Sequence, residues 1–148
     1  MATDSQTISN IDIHAEQLND EDFLAQFEDQ TLASKHFKHL GHLRLTWLYL
    51  LEHDVETSIA LVNSGIQAYA KSVGAETKFH VTLTDAMVRI VAKRMAKMDQ
   101  KDWQMFLKEN YDLVDDAISV LSQHFSQELL FSETARVSLV PPDRMPLN

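Results

Sequence analysis

The fold is decided by residues 37–51, which read Phe37-Lys38-His39-Leu40-Gly41-His42-Leu43-Arg44-Leu45-Thr46-Trp47-Leu48-Tyr49-Leu50-Leu51. On a helical wheel, where successive residues turn by about 100°, the apolar side chains of this stretch cover more than one stripe. They fall on three sides: Phe37, Leu40, Trp47 and Leu51 on one, Leu45 and Leu48 on another, Leu43 and Leu50 on a third. A helix that is apolar nearly all round is a buried helix, so we expect this one to lie at the centre of a small bundle.

The sequence on either side of this stretch also favours helices. Apolar residues repeat at spacings of three and four between residues 56 and 72, and Gly74 follows where a C-terminal cap is expected. Only three Gly and three Pro occur in the chain, which leaves few places for tight turns. The sequence therefore predicts an all-α, single-domain bundle of about five to seven helices around the buried central helix. Its helices are expected near residues 20–31, 34–54, 56–72, 82–98 (capped by Thr82 or Thr77), 99–110, 113–121 and 127–131.

The charge of the chain is concentrated at one end. The formal net charge is −9, yet no Lys or Arg precedes Lys35, while eight acidic residues do. We therefore expect residues 1–19 to form an acidic, flexible arm and residues 20–148 to form the helical domain, with an extended, proline-containing tail. Nucleic acid is not an expected partner, because phosphate binding needs clustered cations that this chain lacks.

The composition also bounds the compartment and the chemistry. There is no Cys, which removes disulfides, thiolate nucleophiles and thiolate metal sites. The longest near-continuous apolar run, residues 43–51, is far shorter than the about 20 residues that a membrane-spanning helix needs. The first residues carry neither a basic stretch nor an apolar one. We expect a cytoplasmic protein without a membrane partner, and the sequence does not indicate its oligomeric state.

Three histidines are the candidate metal ligands. His39 and His42 are three residues apart, so both rings project from one face of the central helix, and Thr46 and His53 extend that polar line. His80 follows after a helix and a turn, which are long enough to bring it back beside them. Two such His and a third from elsewhere form a familiar open site for a first-row transition metal, here zinc or iron. The alternative is that the three are partnered core or boundary histidines.

Two arginines are the candidate anion-binding residues. Arg44 lies within the buried helix, where an always-charged guanidinium needs a permanent acidic or carbonyl partner, and Arg136 lies on the approach to the tail. The alternative is two structural ion pairs, with Asp85, Asp116 or Asp143 as partners. Glu76 and Asp85 flank His80 and are the candidate general bases or further ligands.

The residues also carry a resemblance to a known family. Three motifs occur in order: Phe37-x-His39-x-x-His42-Leu43-Arg44-x-x-Trp47-x-Tyr49-Leu50, Thr77-Lys78-Phe79-His80-x-Thr82-Leu83-Thr84, and Ala135-Arg136 followed by Pro142-Asp143-Arg144-x-Pro146-Leu147. Together they resemble a family of small bacterial all-helical proteins over roughly residues 23–148. The resemblance brings no reaction with it, but it implies that the three histidines and two arginines form the site. Proteins of that family usually carry an acid after the third histidine, where this chain has Val81.

Two functional hypotheses follow. The first is a metal-dependent enzyme for a small, anionic molecule, with His39, His42 and His80 as ligands and Glu76 and Asp85 as catalytic groups. In this hypothesis the substrate contacts Arg44, Trp47, Tyr49 and Arg136. The second is a non-catalytic helical domain that binds a small molecule or a protein, with its histidines and arginines in a structural network.

Overall fold

The computed structural model describes residues 18–148, and this part of the chain is all-α, with no strand. Two short 3₁₀ turns, Ser34–His36 and Glu76–Lys78, precede the second and fourth helices. The α-helices are α1 (Asp20–Glu28), α2 (His39–Glu52), α3 (Val55–Ser72), α4 (Val81–Ala96), α5 (Trp103–Glu109), α6 (Tyr111–Asp115), α7 (Ala117–Ser122), α8 (Gln127–Leu130) and α9 (Glu133–Val137). The prediction of an all-α single-domain bundle is confirmed. None of these helices is long and apolar enough to cross a membrane.

Helix α2 is the centre of the bundle because it separates two hydrophobic clusters. Leu43 and Trp47 pack into one cluster with α4 and the helices from α5 to α8. Leu45 and Tyr49 pack into the other, with α1 and α3. A helix between two cores must be apolar on both sides, which explains why its sequence shows no single stripe. The exception is Leu51, which lies at the end of the helix and is exposed.

Helix α3 follows its sequence pattern closely. Asp54 caps its N-terminus by accepting a hydrogen bond from the Thr57 amide at 2.8 Å. Gly74 follows its C-terminus with a φ of +73°, the left-handed conformation that glycine adopts without a steric penalty. The predicted bounds for this helix are correct to within one residue.

The start of α2 differs from the prediction. The sequence suggested a helix from about Ser34, whereas Ser34–His36 forms a separate 3₁₀ turn and α2 begins at His39. The turn lies so close to α2 that a Cβ atom added to Gly41 would stand 2.5 Å from the carbonyl oxygen of His36. The glycine therefore permits the close approach of the turn to the helix.

The start of α4 and the second half of the chain differ as well. The N-cap of α4 is His80, not Thr82 or Thr77, because the His80 Nδ1 atom accepts a hydrogen bond from the Leu83 amide at 3.0 Å. The predicted helix over 113–121 is broken at Asp116, which ends α6 and caps α7. Helix α9 forms where the sequence suggested only an approach to the tail.

The two ends of the chain bear on the predicted domain boundaries. Residues 1–17, which make up nearly all of the predicted acidic arm, lie outside the described residues. Asn19 belongs to the folded body, since its side chain caps α1 through the Asp22 amide. The tail is not helical after α9, as the prolines predict, and it packs back on the bundle: the Arg144 amide donates to the His124 carbonyl at 3.0 Å.

Candidate functional site

A cavity of about 600 Å³ lies between α2, α3, α4 and the α6–α7 segment. Its floor is deeply buried, since Leu43, Val62 and Leu121 are each at most 2 % exposed. Small-molecule sites typically enclose about 300–1,000 Å³ with mostly apolar walls. The apolar walls of this cavity are formed by Leu43, Val62, Ile66, Leu83, Met87, Val114, Ala117, Ile118 and Leu121.

The exposed residues of the cavity lining are all polar. Lys38, His39, Asp115 and Asp116 are exposed, so the cavity opens towards solvent where they lie. The remaining polar lining comes from His42, Thr46 and Thr84. The expectation that His39, His42 and Thr46 share one face of the central helix is confirmed, because all three line this cavity. His53, the fourth residue of the predicted polar line, is the C-cap of α2 and is not in the lining.

His42 is held in one orientation by two contacts. Its ring stacks on Phe37 with centroids 4.0 Å apart, and its Nδ1 atom lies 2.8 Å from the Lys38 carbonyl oxygen. Because a carbonyl can only accept, Nδ1 carries the proton. Burial lowers the pKa of His42, the bond to the Lys38 carbonyl partly opposes this effect, and the charge of His39 lowers the pKa further. The ring is therefore neutral, with a lone pair on Nε2.

His39 reaches across the cavity mouth to the second half of the chain. Its Nε2 atom lies 2.6 Å from the carbonyl oxygen of Leu113 in α6, so Nε2 donates a hydrogen bond there. This bond links two segments that are 74 residues apart in sequence. No hydrogen bond among residues 18–148 involves the Nδ1 atom of His39.

His80 does not join the other two histidines. While its Nδ1 atom caps α4, its Nε2 atom donates to the carbonyl of Leu130 at 2.7 Å. Both ring nitrogens are therefore used in structural hydrogen bonds: Nε2 carries the proton, and the one lone pair of the ring, on Nδ1, is engaged by the Leu83 amide and is not available to a metal ion. His80 is also absent from the cavity lining.

The predicted metal-ligand set does not form one group. Within residues 18–148 no cluster of three or more His, Asp or Glu side chains could hold a metal ion. The physical reason is the capping role of His80, which faces the amide of its own helix rather than the ring of His42. Zinc or iron binding stays a prediction that this arrangement does not support.

Arg44 is buried, and its guanidinium donates hydrogen bonds to two partners, as the sequence predicts. It is 5 % exposed, and its Nη2 atom donates to the Asp20 carboxylate at 2.8 Å and to the Leu18 carbonyl at 2.7 Å. Its guanidinium carbon lies 4.6 Å from the centre of the Phe23 ring, a cation–π contact. The partner is Asp20, not one of the three acids suggested above. Arg44 thus fastens the start of α1 to α2 and does not line the cavity.

Replacing Arg44 by leucine will lower the free energy of unfolding by only about 1–3 kcal/mol, the cost of unmaking buried hydrogen bonds. Stranding a buried charge would cost about 3–5 kcal/mol, but the Asp20 side chain is 68 % exposed and water will solvate it. Urea denaturation measures the loss, and Asp20→Asn, which leaves the buried Arg44 guanidinium without its carboxylate partner, should cost at least as much. A loss above about 4 kcal/mol would show that Asp20 is effectively buried.

Arg136 and Glu76 lie together at a different place. Arg136 donates to the Glu133 carboxylate at 2.7 Å and to the Thr77 carbonyl at 3.0 Å, so it ties α9 to the second 3₁₀ turn. The bond to Arg136 lowers the pKa of Glu133. Glu76, Arg136 and Lys71 line a second, polar cavity of about 540 Å³, which does not include His39 or His42.

The other predicted site residues have packing partners away from the cavity. Asp85 is buried in α4 and accepts a hydrogen bond from Arg89 at 2.9 Å. Trp47 packs against the rings of Trp103 and Phe106, with centroids 5.7 and 5.1 Å away.

Tyr49 is held by an acidic residue of α1. Its hydroxyl donates to the Glu28 carboxylate at 2.7 Å. Burial raises the pKa of Tyr49, and the Glu28 carboxylate raises it further. Neither Tyr49, Trp47 nor Asp85 lines the main cavity, so their catalytic or substrate-binding roles stay predictions.

Sequence reasoning did not find the residues that close the cavity. Asp115 and Asp116 belong to it only because α6 and α7 break between them and turn back towards α2. Their signal in the sequence is an adjacent acid pair between apolar Val114 and Ala117, at the point where a continuous helix was predicted. Thr84 was not found either, although it lies one turn after His80.

The lowered pKa of His42 predicts a pH-dependent stability. In the unfolded chain His42 has a pKa near 6.5 and binds a proton more readily than in the folded protein. The contribution of His42 to the free energy of unfolding is therefore fully present above pH 6.5. The free energy of unfolding should therefore fall as the pH drops from 6.5 towards the lower pKa that His42 has in the folded protein. Protonation of His42 can account for at most about 1.4 kcal/mol per pH unit. Urea denaturation from pH 7.5 to 5 should give a shallower loss for His42→Phe than for the wild type. An equal loss of stability with falling pH in the wild type and in His42→Phe would contradict the lowered pKa of His42.

Comparisons of the chain with protein-family models, with curated proteins and with solved structures give no match. The family resemblance therefore stays a prediction.

Proposed function

We propose that the protein binds a small molecule with a largely apolar body in the cavity beside His39 and His42. The observation that carries the proposal is the cavity itself: about 600 Å³, with a buried apolar floor and with exposed residues that are all polar. This distribution suits a ligand that buries its body and keeps one polar end near the surface.

The position of the cavity supports the same proposal. Residues from α2, α3, α4, α6 and α7 line it, and the side chains at its floor belong to both hydrophobic clusters. A cavity formed by rigid packed helices is preorganised, so little conformational entropy is lost when a ligand enters.

The anionic substrate and the metal ion of the first hypothesis are not part of this proposal. Arg44 and Arg136 are paired elsewhere, and His80 is a helix cap. The remaining histidine pair, His39 and His42, supplies hydrogen-bonding groups at the cavity mouth. Non-catalytic binding, the second hypothesis, therefore has the better support.

The test uses N-phenyl-1-naphthylamine, a neutral apolar fluorophore that brightens when it leaves water. We expect saturable binding to the wild type. Ala117→Phe places a ring in the cavity wall and should weaken binding at least tenfold, while Ala60→Phe, the same change at an exposed position of α3, should not. Thermal melting checks that both variants fold, and Ile118→Trp is a second obstructing variant. Absence of binding, or equal affinity in all variants, would overturn the proposal.

A further inference from the structure

The hydrogen-bonding groups around the cavity are almost all acceptors. His42 donates through Nδ1 to the Lys38 carbonyl, and His39 donates through Nε2 to the Leu113 carbonyl. In the neutral ring the second nitrogen carries a lone pair. Neither the His42 Nε2 atom nor the His39 Nδ1 atom has a hydrogen-bond partner in residues 18–148, and the lone pair on Nε2 of the neutral His42 ring is free to accept from a ligand.

The two threonine hydroxyls of the lining already donate hydrogen bonds within the protein. Thr46 donates through Oγ1 to the His42 carbonyl at 3.0 Å, and Thr84 donates to the His80 carbonyl at 2.7 Å. What remains on each oxygen is a lone pair. These bonds are short-range contacts within α2 and within the first turn of α4, so they hold without a ligand.

The carboxylates at the cavity mouth are hydrogen-bond acceptors as well. Asp115 and Asp116 supply two carboxylates, and among the described residues of the lining Lys38 is the one lysine or arginine. The Asp116 carboxylate accepts from the Ser119 hydroxyl at 2.6 Å and from the Ser119 amide, which lowers the pKa of Asp116 and keeps it ionised. No hydrogen bond or ion pair among residues 18–148 engages the carboxylate of Asp115.

We propose that the ligand of this cavity is an amine in its protonated form with an apolar body, and that an apolar carboxylate is disfavoured. The inference rests on the proposed function, since it names the ligand class of the same cavity. An ammonium group donates up to three hydrogen bonds and finds imidazole, hydroxyl and carboxylate acceptors in one lining. A carboxylate would meet these same lone pairs and two like charges, with the exposed Lys38 as its one cationic partner.

The experiment compares three molecules with the same eight-carbon chain: octylamine, octanol and octanoate. Each displaces N-phenyl-1-naphthylamine at pH 7, where the amine is protonated and the acid is ionised. We expect octylamine to bind at least tenfold more tightly than octanoate, with octanol between them. Octanoate has one apolar carbon fewer than the other two, because its carboxyl group contains the eighth, and this accounts for about a fourfold difference in affinity. A difference of tenfold or more therefore reports on the polar end.

Two exposed acids provide the matched variants. Asp115→Asn should weaken octylamine about three- to tenfold, strengthen octanoate and leave octanol unchanged. Asp99→Asn makes the same change of charge outside the cavity lining and should alter none of the three. Both side chains are exposed, so neither change should prevent folding.

The outcomes separate this inference from the proposed function. Octanoate that binds as tightly as octylamine, or equal effects of Asp115→Asn and Asp99→Asn, would overturn the amine preference while the cavity still binds the fluorophore. Failure of the fluorophore and of all three chains to bind would instead overturn the proposed function.

Discussion

Replacing His80 by alanine will lower the free energy of unfolding by about 2–4 kcal/mol. Loss of an N-cap costs about 0.5–2 kcal/mol, and the Leu83 amide loses that bond. The carbonyl of Leu130, a fully buried residue, loses its partner as well, which costs about 1–3 kcal/mol. Urea denaturation of the wild type and the variant measures the difference.

A second substitution at the same position separates the two bonds. Asparagine is a good N-cap but is too short to replace the imidazole between α4 and α8, so His80→Asn should recover the capping part of the loss only. Neither variant should change the affinity for N-phenyl-1-naphthylamine, because His80 is not in the cavity lining. Unchanged stability in His80→Ala would show that His80 is free for another role, including metal binding.

Gly41→Ala will lower the free energy of unfolding by about 1–3 kcal/mol, the usual cost of overpacking. The added Cβ atom would stand 2.5 Å from the His36 carbonyl oxygen, so the 3₁₀ turn must move away from α2. Alanine has the higher helix propensity, by about 1 kcal/mol, and this gain is already included in the net value. Thermal or urea denaturation measures it.

The comparison variant is Gly65→Ala. There the added Cβ atom would meet the outer edge of the Phe27 ring at 2.7 Å, and a ring can shift more readily than a backbone carbonyl. We therefore expect a smaller loss than for Gly41→Ala. Equal or increased stability in Gly41→Ala would contradict the close packing of the turn against the helix.

The helices were predictable because apolar spacing reports directly on which face of a helix is buried. Helix α3 shows this best, with one clear stripe, a capping Asp54 and a closing Gly74. Helix α2 was predicted to be buried because it is apolar all round, and its position between two clusters confirms that reasoning. Its start was not predictable, since the 3₁₀ turn depends on the contact between His36 and Gly41.

The candidate site was predictable only where it lies on one helix. His39 and His42 project from one face by the geometry of α2 alone, and both line the cavity. The position of His80 depends on which group caps α4, and threonine is a commoner cap than histidine, so the sequence favoured Thr82 or Thr77. Arg44 was correctly expected to be paired, but Asp20 is 24 residues away and no local pattern selects it from the other acids.

Asp115 and Asp116 show the remaining limit of sequence reasoning. They were expected to lie within a helix over 113–121, whereas Asp116 takes a non-helical conformation, with φ −152° and ψ 69°, and caps a new helix. The break turns the two carboxylates towards the mouth of a cavity that residues of α2, α3 and α4 also line. Such a tertiary arrangement leaves no periodic signal in the sequence.

The most direct test of the central claim is a map of amide chemical shifts in the ¹H–¹⁵N NMR spectrum during titration with octylamine. The account predicts that the largest saturable changes fall on cavity residues from both halves of the fold, among them His42, Thr46, Thr84 and Ala117. Amides beside the second cavity, such as those of Lys71 and Thr77, should change little. Shifts confined to that second cavity, or no saturable shift at all, would contradict the account.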